Sequence, residues 1–481
     1  MPTARPAAAP HLLAGLLAGL LLGACNGTLY DAAGVPVVPP GGGPACEAPQ
    51  HVCGGSCVAQ SVTACGAACA ACTATDPNAT AVCEAGGSGA FACAEVCQAG
   101  WFSCTSGCCR ATAVAAGDDH ACAVTSDQGL LCWGKNDGGQ LVPNAAGLLR
   151  SVRPVAVFAS GVTAVAAGGR HTCAVVGGTV QCWGANDSGQ LGDGTPATTA
   201  GVVSTGLAGA TALALGASHS CAIVGSGAGA AVRCWGANGL GQLGTGDLQP
   251  HAAPFPSLVN AGVISLSAAG DDTCAVAAGQ AWCWGLDVDG QTGANDPVTP
   301  RAPKPTPVVV PLSGSALQVV VGRKHACATS NGGGGTPLFC WGSGGEGEMG
   351  NGSTATPVLV PVWASVIDNG KRAEVIVAGE GFSCSAKAGE VSMNCNGRNE
   401  QAQCGVAASA PVTSRIDVGF GGPVLAASAG RAFTCALVGP AGQDVVKCWG
   451  VNADGQLGRV TPTTAPSPTP DPSPTPLPVG G

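Results

Sequence analysis

Cysteine is the residue in this chain with the widest chemical reach. There are 28 in 481 residues. A thiol can join a second thiol, ligate a metal, carry a lipid or act as a nucleophile. Spacing separates these uses. In the second repeat of the chain Cys173 and Cys182 flank AVVGGTVQ. Gly177-Gly178 is a two-residue hairpin turn signal. Counting back from that turn sets Cys173 opposite Cys182 at a non-hydrogen-bonded position, where side chains approach most closely and within disulfide reach. Cys274 and Cys283 stand in the same register around Ala278-Gly279, and Cys122 and Cys132 fit a three-residue loop, Ser126 to Gln128. Longer loops lie inside Cys221–Cys234, Cys327–Cys340 and Cys435–Cys448, and Cys384–Cys395 completes the series. The expectation is seven disulfides, each clasping one hairpin and contributing up to about 3 kcal/mol by loop entropy.

The other thiols read differently. Twelve lie between 46 and 109: 46, 53, 57, 65, 69, 72, 83, 93, 97, 104, 108 and 109. The even count and the scarcity of large apolar residues imply a small module stapled by up to six bridges. Cys69-x-x-Cys72 has zinc spacing, but ligand thiols of an exported chain tend to oxidise, so no metal is expected. Cys25 follows LLAGLLAGLLL (12–22) and ends L-G-A-C. The apolar run is short for a bilayer span and suits a signal peptide. Its end resembles the bacterial lipobox, which implies cleavage before Cys25 and a lipid on its sulfur, tethering the protein to a membrane. An ordinary signal with Cys25 in a disulfide is the alternative. Cys404 replaces Leu in the sixth repeat and leaves an uneven thiol count. It is free, or it captures Cys395 or Cys384.

Histidine is the next candidate. His120, His171, His219 and His325 follow G-x-x, but other repeats carry Asp272, Phe382 and Phe433 there. Exchange of His for Phe points to packing rather than to metal ligation. No phosphate-binding glycine loop and no G-x-S-x-G stands in the chain. No catalytic residues and no cofactor are assigned, and the protein is read as a non-enzyme.

These residues need elements to position them. Successive first-half cysteines (122, 173, 221, 274, 327, 384, 435) lie 48 to 57 residues apart. Short apolar runs and glycine turns at that period fit a four-stranded propeller blade per repeat. The fold class is therefore all-β: a seven-bladed β-propeller preceded by a small disulfide-rich module. Each blade carries a tryptophan (133, 183, 235, 284, 341, 449), except the sixth, which has Asn396. Strand alternation turns Trp183 away from the disulfide, over Thr172 and beside Ala174. Small residues at these positions leave a slot, so the indole is expected to fill the gap between blades rather than stack on a carbohydrate. Asn in x-N-x-x-G-Q-L-G suits an αL or Asx turn, and Gln is expected to cap backbone of a neighbouring strand.

Five stretches result: a lipoprotein signal peptide at 1–24, a Gly/Pro-rich tether at 25–45, the cysteine-rich module at 46–109, the propeller at 110–458 and a Pro/Ser/Thr-rich tail at 459–481. The tail ends in PLPV, which resembles the strand after GQLG in other repeats and is a candidate to complete blade seven. Gly numbers 78 while mean hydropathy is positive, which suits turns in a packed protein. With 19 Lys plus Arg and a net charge of −9, nucleic acid is not an expected partner.

The pattern G-x-x-H-[ST]-x-A-L … W-G-x-N-x-x-G-Q-L-G over 110–458 resembles the regulator of chromosome condensation repeat. That family forms seven-bladed propellers and includes an exchange factor for a nuclear GTPase, ubiquitin-ligase subunits and a secreted β-lactamase inhibitor. The resemblance implies protein binding on a propeller face. Exchange activity is not carried over, because a lipid-tethered, disulfide-bonded chain lies outside the cytosol. The expected location is extracytoplasmic, on the outer membrane or cell surface. Two variable residues stand between Gly and His in each repeat, and in a propeller they form a ring on one face. Asp118, Asp119, Arg170, Asp271, Arg323, Lys324, Glu380 and Arg431 are the candidate contacts for a protein partner. Inhibition of an extracytoplasmic enzyme is the second reading, and a polysaccharide-acting enzyme the third.

Overall fold

Apolar runs of about six residues, cut by glycine, are too short for helices and long enough for strands. In the computed structural model, described over 74–85, 91–97, 101–104 and 107–459 apart from breaks at 146, 198–200, 295–300, 333–335, 365–372, 388, 408 and 441–443, they form seven four-stranded antiparallel sheets. Strand backbone is also described at 29–30, 36–37, 50–53, 56–59 and 473–478. Blade one runs from its innermost strand, Ala111–Ala116, through His120–Thr125 and Leu130–Lys135 to an outer strand, Arg150–Phe158. Blades two to seven repeat this order over 162–208, 210–256, 263–310, 315–363, 375–419 and 424–478.

The tail supplies the outer strand of blade seven. Ser473–Pro478 pairs with Val445–Gly450, setting Leu477 opposite Cys448. Every blade thus consists of four consecutive strands. Among the described residues no strand is exchanged between the two ends of the chain, and the ring closes through packing between blades seven and one.

The chain divides into two compact units, 1–98 and 99–481. In the first, Ala79–Ala85 pairs with Phe91–Cys97 and sets Cys83 opposite Cys93. The division falls before the 109/110 boundary that the cysteines suggest. The reason is a hairpin, Phe102–Cys104 with Gly107–Cys109, whose Phe102 and Cys109 are buried in the core of blades one and seven.

Inside each blade the cysteines face one another across the two middle strands, as Cys173 does Cys182 and Cys274 does Cys283. The sulfurs are bonded in all seven pairs. The core lies between the blades. The Cys122–Cys132 disulfide of blade one packs in one cluster with Ala174 and Trp183 of blade two. Cys173–Cys182 packs likewise with Ala222 and Trp235, and Cys435–Cys448 with Ala123 and Trp133, which closes the ring. Each indole is fully buried in the slot left by small neighbours.

Candidate functional site

The loops at one end of the blades are positioned by a relay that recurs across the seams whose blades carry histidine. In blade one the backbone carbonyl of Gln140 accepts the Trp183 indole N–H of blade two at 3.0 Å and the Thr172 hydroxyl at 2.8 Å. The His120 Nε2 lies 2.8 Å from that same hydroxyl oxygen. Since Thr172 gives its proton to Gln140, it accepts from His120, which sets the neutral Nε2–H tautomer. His171–Ser220–Gln190 and His219–Thr273–Gln242 repeat the chain of bonds. His325 bonds Ser383 at 2.8 Å. Burial lowers these imidazoles from 6.5 to about 4 for His120 and His325 and to about 3 for His171 and His219. They are neutral connectors, not acid–base groups for neutral pH.

Two expectations need correction. The Gln side chain does not reach a neighbouring strand. Gln140 Oε1 accepts from Gly138 N, two residues back, at 2.8 Å. The backbone carbonyl bridges the blades, and at the blade three–four seam the Gln242 amide also crosses, donating to Asp271 Oδ1 at 3.3 Å. Nor does Asn take the left-handed conformation. Asn136 Oδ1 accepts from Leu141 N at 2.7 Å while its amide bonds Leu148 O, so it staples a long loop. The left-handed position is the glycine after Trp. Gly184 has φ +109°, and a Cβ there would lie 2.6 Å from the Arg170 carbonyl.

The relay holds the variable pairs around the mouth of a central channel of about 260 Å³, lined by the innermost strands of all seven blades. Backbone bonds link the loops: Asp118 N to Gly168 O at 3.1 Å, Ala217 N to Gly270 O at 2.7 Å and Arg431 N to Asp118 O at 3.2 Å. The structure brings most of the eight candidates into one network. Arg323 of blade five reaches Asp118 of blade one at 2.6 Å and lies 4.0 Å from Glu380. Arg431 donates to Asp119 at 2.8 Å. Burial pushes the Asp271 carboxyl above its usual range, against the pull of Arg323. Arg170 leans outward to Asp137 at 3.4 Å. Lys324 is exposed and makes no ion pair among the described residues.

Sequence reasoning missed Asp137, Arg398 and Glu400. Arg398 approaches Glu380 at 3.7 Å and Glu400 at 2.8 Å from a different loop of the same face. Their signal was position, since both W-G-x-N loops and G-x-x-H loops exit at one end of the blade. Cys404 is a buried free thiol, pushed up to about 12 by burial, and Cys384 bonds Cys395 instead. Cys104 and Cys109 lie near Asp127 in a metal-like grouping, but their sulfurs are bonded to each other. Cys25 and the Cys69-x-x-Cys72 pair lie outside the described residues.

Residues 111–140 and 162–190, in blades one and two, match the Regulator of chromosome condensation (RCC1) repeat. Over 261 residues the chain is 30% identical to the ultraviolet-B receptor UVR8 of Arabidopsis thaliana, taking in 51% of this chain and 56% of the receptor. The match to the probable E3 ubiquitin-protein ligase HERC4 of Mus musculus is 31% identical over 128 residues, 26% of this chain and 12% of that protein. The chain thus spans about half or less of the curated relatives it matches. Yeast RCC1 (Prp20), crystallised with Kap60, superposes with a TM-score of 0.61 at 18% identity, over 76% of this chain and 84% of that one. Human WBSCR16 superposes at 0.60 and 19% identity, over 72% and 90%. These two likenesses concern the fold. With the relay repeated at successive seams and the repeat matched in blades one and two, the chain carries repeats of the RCC1 type and builds a seven-bladed β-propeller.

Proposed function

We propose that this protein is a cell-envelope lipoprotein that presents its propeller, outside the cytoplasm, as a non-enzymatic protein-binding scaffold. The RCC1-type propeller supports protein binding at the level of the scaffold. The observation that carries the finer reading is the channel-mouth ring. Seven loops of variable sequence are fixed by backbone bonds and ion pairs before any partner arrives, which lowers the ordering cost of association. Arg170 and Lys324 stand out from that ring toward solvent. A hairpin disulfide in each blade suits an oxidising compartment, and the L-G-A-C ending at Cys25 supports the lipid anchor.

The test is crosslinking on intact cells, followed by binding measurements with the captured protein. Lys324→Glu and Arg170→Glu are expected to weaken binding at least tenfold. Unchanged binding by both would overturn the assignment of this face. If the captured protein is an enzyme whose activity falls on binding, the scaffold acts as an inhibitor. Metabolic labelling with a fatty-acid analogue tests the anchor, and a Cys25→Ser chain that still takes the label would exclude it.

A further inference from the structure

In several seams the buried indole has a second apolar neighbour, at the exit of the preceding blade's outer strand. Phe158, the last residue of blade one's outer strand, meets Trp183 edge-on at 5.6 Å. Phe420, just past the outer strand of blade six, meets Trp449 at 5.4 Å. Val259 and Leu312 join the clusters of Trp284 and Trp341 in the same way. In the seam between blades seven and one, this neighbour comes from the hairpin just ahead of blade one. Phe102, 3% exposed, stacks on Trp133 at 6.4 Å and 23°. It shares a cluster with Cys109 and with Phe433, Cys435 and Cys448 of blade seven.

We infer that the hairpin around Phe102 is a clasp that closes the propeller: the segment before the first repeat supplies the seam contact that a preceding blade supplies elsewhere. Three further features serve that role. The blades consist of consecutive strands, so the seventh seam is not tied by strand exchange among the described residues. The hairpin is itself locked by a disulfide between Cys104 and Cys109. Trp133, the residue Phe102 covers, makes one of the bonds across the closing seam, from its indole N–H to Gln456 O at 2.9 Å. Closure of the propeller is thereby governed from its N-terminal side.

Hydrogen exchange of the full chain, followed by mass spectrometry, tests this. Phe102→Ala is expected to speed exchange at least tenfold in Leu130–Lys135, Phe433–Val438 and Val445–Gly450, leaving blades three and four at wild-type rates. Phe158→Ala should move the response to blades one and two. Phe102→Leu, milder and safer for folding, should raise exchange in blades one and seven severalfold. Wild-type rates in blades one and seven for both Phe102 variants would overturn the clasp. So would an equal acceleration in every blade, which would make Phe102 a contributor to general stability only.

Discussion

The seam between blades one and two and the seam between blades four and five share one wall and differ in the other. Both pack a hairpin disulfide against the next indole, and both indoles donate to a Gln carbonyl, Trp183 to Gln140 at 3.0 Å and Trp341 to Gln291 at 2.7 Å. Only the first has the relay. In the second, Asp272 stands where His120 would be, and Ala326 stands where Thr172 would be. Asp272 is 2% exposed, its carboxyl oxygens lack well-placed hydrogen-bond partners, and the nearby Leu286 amide donates to the Asp271 carbonyl instead. Burial, with Asp271 and Asp287 adding to it, raises this carboxyl well above its ordinary value. Where the hydroxyl is missing the histidine is missing too, as also for Phe433 ahead of Ala121. The dependence runs one way: blade seven keeps the Thr434 hydroxyl opposite Phe382, where that buried oxygen has no hydrogen-bond partner.

The shared wall should dominate stability. Trp183→Ala and Trp341→Ala each remove a fully buried indole and are expected to cost about 3–5 kcal/mol in urea unfolding. If the two seams differ only in the relay, these costs should agree within about 1 kcal/mol, well inside the spread that differently packed sites show for one large-to-small substitution. A larger gap would show that the blade four–five seam is packed differently throughout.

The unshared wall should separate the seams by pH, in opposite directions. A histidine with a depressed folded pKa contributes stability above its unfolded value, lost as pH falls. For the first seam that loss runs from 6.5 down to about 4, at up to about 1.4 kcal/mol per pH unit. Asp272, raised in the fold, contributes its stability below the ordinary 3.8, and that contribution is lost as pH rises toward its folded value. The expected outcome is that His120→Phe with Thr172→Ala, copying the Phe433–Ala121 pair, flattens the acid limb of the stability profile. Asp272→Asn should instead gain on wild type as pH rises from 3 to 7. Parallel profiles for wild type and either variant would dissolve the contrast.

This contrast also marks how far the residue pattern could be read. Hairpin register needs only local counting, so Cys173 opposite Cys182 was available from the turn at Gly177-Gly178. The slot for Trp183 followed from alternation and small size. Thr172 was read for its size alone, because its role as a proton donor depends on Gln140, 32 residues away. Phe102 was hidden among cysteines, and only packing of the hairpin against Trp133 reveals it. The Arg323–Asp118 pair spans 205 positions. Closing the ring brings those two charges together, and no pattern within one repeat encodes that.

The smallest effect is expected at that pair. Arg323 and Asp118 are 36% and 24% exposed, so solvent screens them and the bond contributes about 0.5–1 kcal/mol at most. Asp118→Asn should therefore lower stability less than either seam variant, and the loss should fade in high salt. Its value lies in separating the two roles of the face. The relay sits below the ring and holds the loops by neutral bonds that salt does not screen, whereas the ring holds its charges in place for whatever meets it. A salt-insensitive loss of several kcal/mol for Asp118→Asn would place the ion pair among the supports of the seams. A small, screened loss leaves the charges of the ring to recognition.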